Sequence, residues 1–392
     1  MNGLVSQELL KDAISALLRY CQKENWAGYD PYDGLNSRVF SSIPFFQNKL
    51  GKLAFIQLMK RSPVNLRPLM LVSKSHNPKG LALFASSLMK LHDAGLVESK
   101  DAALSPLEMM MQLKDPKNPY YSWGYNFDWQ SRLMFTPSGV PNIICTTFSG
   151  NALLDAYEKY GELRYLEMAG SAGRFLLEGL NISREREGLC FSYTPLDMGR
   201  VHNANLLGAA YLARLYRLTG EKTYLQHALS AALYSVGRQN PDGSWYYGEG
   251  KTQRWVDNFH TGYNLIALKN LSRDIETDEF QKNISMGLEY YKRNFFTDEG
   301  IAKYYNNEIY PIDIHSISQS IVTLVEFRDH CEDNMTLALL ICRWALENMR
   351  SPEGFFYYQK TRYLKNKIPY MRWSQGWMLY GLATLASVIF PK

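Results

Sequence analysis

Three of the seven histidines in this 392-residue chain recur at nearly even intervals, each no more than five residues after an aspartate. His202 follows Asp197, His260 follows Asp257 and His315 follows Asp313. Arg372 stands where a fourth member of the series falls due, and the successive spacings are 58, 55 and 57 residues. An imidazole beside a carboxylate can carry protons near neutral pH. Paired carboxyls in a partly desolvated aromatic cleft can hold their pKa values apart, one as acid and one as base, which is the division of labour glycoside hydrolysis commonly uses. Asp128, Asp257 and Asp313, with His260, are therefore the catalytic candidates. Hydrolysis of an oligo- or polysaccharide is the first reaction they suggest.

Trp129, Trp245, Trp255 and Trp373 offer flat apolar surfaces of the kind that pack against sugar rings. Asp33, Arg132, His202, Asn203, Asn258, His315, Gln319, Arg372 and Gln375 can hydrogen-bond hydroxyls, and Arg372 is best suited to a carboxylate on an acidic substrate. The same residues support a second reaction. Uronate C5-epimerases and polysaccharide lyases remove the proton next to a carboxylate, and here His202, His260 or Tyr263 would be the base, with Asn203, Asn258 or Arg372 steadying the anion. A third function also fits: binding of a glycan without turnover, as an accessory protein. Ordinary structural roles compete with each of these, since Asp or Asn just before a helix is a common N-cap and a hairpin Trp often packs on a core. No H-x-x-x-H or H-x-H spacing suggests a metal site. No P-loop or G-x-G-x-x-G points to an organic cofactor, so none is expected.

The elements that must position these residues are repeats. His202 opens HNANLLGAAYLA, His260 opens HTGYNLIAL, and Arg372 precedes SQGWMLYGLATLA. These segments are almost uncharged and rich in Gly, Ala and Ser, which suits helices buried on both sides. Between them lie segments such as EKTYLQHALSAALYSVGRQ and DNMTLALLICRWALENMR, whose apolar residues recur every three or four positions with charges between, as in helices with one solvated face. Six inner helices are predicted, starting near residues 79, 146, 203, 260, 316 and 374, with an outer layer around them. Residues 5–21 form a first amphipathic helix, and further helices are expected near 46–60 and 103–113. Pro and Gly exclude a helix at 26–37, and the aromatic stretch 119–135 reads as a long ordered loop. An aromatic β-hairpin is expected after the Asn-Pro-Asp-Gly turn at 240–243.

The chain is 46% hydrophobic and 21% charged, which marks it as globular, and no linker or low-complexity tract divides residues 1–392, so one domain is expected. The net charge of +5 falls short of a nucleic-acid-binding signature. Five scattered cysteines without a C-x-x-C pair fit a reducing cytosol. The N-terminus lacks the features of a secretory signal, and no run reaches the ~18 apolar residues of a membrane span. A cytoplasmic location is the expectation.

Six helical hairpins joined at one end by aromatic loops resemble the (α/α)6 toroid of the six-hairpin glycosidases, polysaccharide lyases and uronate epimerases. The stretches YDPYDGLNS, YSWGYNFDWQSR, WVDNFHTGYNLIAL and IPYMRWSQGWMLYGLA are similar to those of uncharacterised toroid proteins associated with bacterial polysaccharide biosynthesis. The resemblance implies an all-α fold with short β-hairpins and a carbohydrate ligand at one end of the ring; it leaves the reaction open. QNPDGSW at 239–245 is similar to the Q-x-x-x-G-x-W turn of the squalene and hopene cyclases. The D-x-D-D acid motif of that family is absent, so shared turn mechanics is the expectation.

Overall fold

The computed structural model describes residues 4–131, 134–331 and 333–390. The inner helices are α4 (Pro78–Asp93), α6 (Ile143–Tyr160), α8 (His202–Thr219), α10 (Asn258–Asp274), α12 (Ile314–Glu326) and α14 (Trp377–Ile389). Each packs on the next, and α14 closes the ring against α4. The outer layer is α1 (Gln7–Lys23), α5 (Lys100–Gln112), α7 (Leu163–Arg174), α9 (Lys222–Val236), α11 (Gln281–Phe295) and α13 (Asp333–Asn348). These pair with the inner helices, α1 with α14 and α5 with α4, so the first outer helix covers the last inner one.

The local chemistry explains the boundaries. Asn77, Asn142, Asp257 and Asp313 each accept a backbone N–H in the first turn of the inner helix they precede, satisfying one of the donors a helix start leaves free. Gly161 and Gly220 end α6 and α8 in the left-handed region at φ 74°, where a side chain would be strained.

Small residues let the inner helices approach closely. A Cβ on Gly150 of α6 would fall 2.3 Å from the Tyr211 hydroxyl of α8, which is fixed by its 2.6 Å bond to the Ala169 carbonyl. Gly150→Ala is therefore expected to destabilise the fold by about 1–3 kcal/mol through overpacking. Urea unfolding checks this, and an unchanged midpoint would mean that the ring has slack.

Several details differ from the sequence expectation. The segment after Trp245 folds back as a hairpin-like loop without regular strands: Tyr247 N–H bonds the Trp255 carbonyl at 2.9 Å and Gly248 N–H the Gln253 carbonyl at 3.3 Å. Short pairings occur instead at β1 (Trp129–Gln130) with β2 (Phe135–Thr136) and at β3 (Ile182–Glu185) with β4 (Gly188–Phe191). A three-stranded ribbon joins β5 (Ile312–Asp313), β6 (Gln359–Lys360) and β7 (Lys365–Asn366). The last inner helix begins three residues early, as a π-helical turn at Met371–Gly376. Within the proline-and-glycine segment, Asp33–Asn36 makes one 3-10 turn.

Residues 38–61 form an insertion over one edge of the ring, with a single turn α2 (Arg38–Ser41) and the helix α3 (Lys49–Arg61). Its small core joins Leu35, Phe40 and Ile56. Among the described residues, no helix is long and apolar enough to cross a membrane.

Candidate active site

Because inner and outer helices alternate along the chain and run in opposite directions, with α1 standing beside α14, all six inner helices start at the same end of the ring. Lys79, Ile144, Asn203, His260, His315 and Arg372, one from each start, line a cavity of about 700 Å³. That volume is typical of a small-molecule site. Six helix N-termini also give this end a positive dipole field.

Two imidazoles sit in an aromatic ladder. Trp255 stacks on Tyr247 at 4.6 Å, Tyr247 packs on His260 at 4.6 Å, and His260 packs on Phe259 at 4.1 Å. Phe259 then stacks on His315 at 4.4 Å, and His315 stacks on Trp377 at 4.5 Å. The rings are thus held in place by stacking as well as by hydrogen bonds.

His260 Nδ1 lies 2.7 Å from Asp257 Oδ2, which also accepts the Trp255 indole N–H at 2.9 Å. Asp257 Oδ1 caps the helix by accepting the His260 backbone N–H at 3.0 Å. With Nδ1 turned to a carboxylate, Nε2 is the nitrogen left for a substrate. His315 Nε2 is 2.7 Å from the Tyr263 hydroxyl, while its Nδ1 is buried without a hydrogen-bond partner among the described residues. Burial, with the Lys79, Arg372 and His260 charges, holds the His315 pKa well below the ordinary 6.5, so its ring is neutral.

Lys79 stands at the cavity floor. Its Nζ lies 4.2 Å from the Phe148 ring centroid, 5.2 Å from Trp377 and 5.3 Å from Tyr263, and 3.4 Å from the Tyr263 hydroxyl. Burial, aided by the Arg372 charge, lowers its pKa to about 7. Arg372 grips Asp30 through two bonds of 2.6 and 2.8 Å.

The predicted residues divide cleanly. Trp129, Asn203, Trp255, His260, His315, Arg372 and Trp373 line the cavity. The carboxylates do not. Asp257 is engaged as described, and Asp313 Oδ1 accepts the Trp373 indole N–H and the His315 backbone N–H, both at 2.9 Å. Burial pushes Asp313 up to about 6, with those bonds and one from Gln359 opposing. Asp128 accepts the Ser138 backbone N–H in its loop at 2.8 Å. The one carboxylate in the lining among the described residues is Asp197, which already takes four donors from Tyr193, Thr194 and Gly199.

The other expected ligands face elsewhere. Asp33 pairs with buried Arg67 at 2.6 Å. Asn258 accepts from Tyr291 and Ser320, and Gln375 bonds the Phe356 backbone through both ends of its amide. Gln319 lines a second cavity of about 360 Å³ at the far end of the ring. Trp245 is buried, its indole N–H on the Ser235 carbonyl at 3.0 Å, and Gln239 bonds the Gly243 carbonyl at 2.9 Å, which is the turn mechanics expected of that motif. Arg132 lies outside the described residues.

His202 is buried and is absent from the lining of this cavity, and burial lowers its pKa to about 4. The unfolded chain therefore binds a proton near 6.5 that the folded chain refuses until about 4, so this histidine contributes stability at neutral pH that is lost as pH falls between those values. Asp33 and Asp313, raised by burial, act in the opposite sense. His202→Asn is expected to flatten the acid limb of the stability profile across that interval. Urea titrations at stepped pH test it.

Sequence reasoning missed Lys79, Tyr125, Tyr193, Tyr304 and Tyr305, all of which line the cavity. Lys79 was the detectable one, since it sits at the first inner-helix start in the position that histidine or arginine takes elsewhere.

No protein-family profile matches the chain. Among curated proteins, 163 residues are 26% identical to the class 1 fructose-1,6-bisphosphatase of Helicobacter acinonychis, a stretch that is 41% of this chain and spans about half, 54%, of that relative's length. That match is too short and divergent to fix a family. Whole-fold similarity is broader. The Lin0763 protein of Listeria innocua is 12% identical and superposes over 97% of both chains with a TM-score of 0.66. The cellobiose 2-epimerase of Bacillus thermoamylovorans is 10% identical, covering 81% of this chain and 89% of that one, with a TM-score of 0.62. A GH76 α-mannanase of Bacteroides thetaiotaomicron is 13% identical, covering 81% and 87%, with a TM-score of 0.61. The chain has the (α/α)6 toroid fold that these three structures share. An epimerase and a hydrolase share that fold, so the chemistry must be argued from side chains.

Proposed function

We propose that this protein is a carbohydrate-active enzyme that moves a proton at the carbon next to the carbonyl of an open-chain sugar, epimerising or isomerising the reducing end of a small saccharide. One observation carries the proposal: the cavity is lined by two imidazoles fixed in orientation, His260 and His315, while the carboxylates that hydrolysis would need are already engaged. Glycosidases keep two carboxyls across the scissile bond, about 5–10 Å apart, and free to act. Here Asp257 and Asp313 hold their neighbours in place.

In this reaction His260 Nε2 takes the proton from C2, and the electron pair moves onto the carbonyl oxygen to give an enediolate. The negative charge forms at the end of the ring where six helix N-termini, Lys79 and Arg372 converge, so it is stabilised where it appears. A proton returned to the other face of C2 gives the epimer, and one returned to C1, with the O2 proton passing to O1, gives the ketose. Tyr263, a neutral phenol bonded to neutral His315 and one turn beyond His260 on α10, is the proton donor. Trp129, Trp255 and Trp373 supply packing surfaces for the sugar. The cellobiose 2-epimerase neighbour supports this reading, and the GH76 neighbour keeps hydrolysis as the competitor.

The test is incubation with a panel of reducing mono- and disaccharides and uronates in deuterium oxide, followed by NMR. Deuterium at C2 with a new epimer or ketose supports the proposal, and His260→Asn should abolish it. Deuterium at C5 of a uronate would move the same chemistry to an acidic substrate. New reducing ends without exchange would overturn it in favour of hydrolysis.

A further inference from the structure

The segment between Asp33 and Asp93 contains no Asp or Glu, yet from Arg38 to Lys74 it carries seven cations. Some are engaged: Arg67 with Asp33, Lys74 with Glu24, and Lys60 with the Tyr32 hydroxyl. Arg38, Lys49 and Arg61 are exposed and have no ion-pair partner among the described residues. The chain after Glu353 is likewise free of carboxylate side chains, and its β6–β7 hairpin carries Lys360, Arg362, Lys365 and Lys367. The two regions meet where Asn366 Nδ2 bonds the Ser62 carbonyl at 2.9 Å, at the end of α3. They form one basic surface.

Those segments also carry the most exposed of the large apolar side chains among the described residues. Phe45 is 80% exposed, Leu50 77%, Leu69 74% and Tyr363 84%. On α3 the sides have separate tasks. Ile56 and Met59 are buried, Leu53, Gln57 and Lys60 line the cavity, and Leu50, Ala54, Leu58 and Arg61, spaced at i, i+4, i+8 and i+11, face outward. Bulky apolar side chains projecting from two adjoining segments that carry cations and no carboxylates of their own match what an interfacial helix presents to anionic lipid. A second copy of this chain would bring like charges together, and a nucleic acid would meet the cations but leave Leu50, Leu58 and Leu69 exposed without a partner.

We propose that the outer face of α3, the turn before it and the tip of the β6–β7 hairpin dock this protein on an anionic membrane surface. The apolar tips enter the boundary between headgroups and acyl chains, and Arg38, Lys49, Arg61 and Arg362 meet the lipid phosphates. The helix that rests on lipid then also walls the sugar cavity.

Co-sedimentation of the full chain with vesicles tests this. Binding is expected to mixed phosphatidylglycerol and phosphatidylcholine vesicles, to weaken with added salt, and to be lost on phosphatidylcholine alone. Lys49→Glu with Arg61→Glu, and separately Phe45→Ser with Leu50→Ser, should each lower the partition coefficient about tenfold or more while leaving the melting temperature unchanged. Equal binding to both vesicle types, no binding to either, or unaltered binding by both folded variants would overturn the proposal. So would self-association abolished by the Phe45→Ser and Leu50→Ser pair in the absence of vesicle binding, or capture by an acidic polypeptide without it.

Discussion

Asp257→Asn is expected to cost about three to four orders of magnitude in turnover while leaving the protein folded and able to bind sugar. The carboxylate makes two kinds of contact. Its Oδ1 caps α10, and Asn keeps that acceptor, since Asn is itself a good N-cap. Its Oδ2 receives His260 Nδ1 and the Trp255 indole N–H, and the Asn amide would turn N–H groups toward both. The imidazole can answer only by presenting Nδ1 as an acceptor, which puts its proton on Nε2 and removes the base from the side that meets the substrate. Deuterium exchange at C2 with KM, together with a melting curve, separates the outcomes. A near-normal rate with a lowered melting temperature would make Asp257 a cap and nothing more.

A second large effect is expected from Asp30→Ala, which should destabilise the fold by about 3–5 kcal/mol, because it leaves the Arg372 guanidinium buried without its partner. Both side chains of this pair are 4% exposed, and they join residues 342 positions apart. A companion bond set runs alongside: Arg67 donates to Asp33 at 2.6 Å, to the Asp30 carbonyl at 2.7 Å and to the Tyr370 hydroxyl at 2.8 Å. Together they fasten the segment after α1 to the last inner helix and so help close the ring. Asp30→Ala with Arg372→Met should recover much of the lost stability, since an apolar side chain needs no counter-charge. Urea unfolding of both variants decides it; a single-variant loss under about 1 kcal/mol would show that water or a neighbour compensates the arginine.

The ring could be seen in the sequence because two signals coincided: a spacing of 55 to 58 residues and the alternation of uncharged with amphipathic helices. The site was less accessible for a geometric reason. A helix start can be read to within a residue or two, but each residue turns the side chain by about 100°. Asn258, Phe259 and His260 are consecutive, yet Asn258 turns to Tyr291 on the outer layer while the next two line the cavity. Gln319 lies on α12 one turn past His315 and therefore faces the opposite end of the ring. Asp257 both caps α10 and bonds the His260 ring, whereas Asp313 caps α12 and bonds the Trp373 indole without touching the His315 ring, a difference that spacing alone does not reveal. Lys79 was overlooked because a lysine after a proline at a helix start looks like a solvated charge, and only the closed ring buries it.

The aromatic floor under Lys79 has a bearing on how the protein handles its ligand. Phe148, Tyr263 and Trp377 pack mutually at 5.5 to 6.0 Å between centroids and separate the two cavities. The upper chamber is a cul-de-sac. A polymer cannot be threaded through the ring from one face to the other. On the proposed reaction, product must back out through the mouth that admitted the sugar, in direct competition with the next molecule arriving.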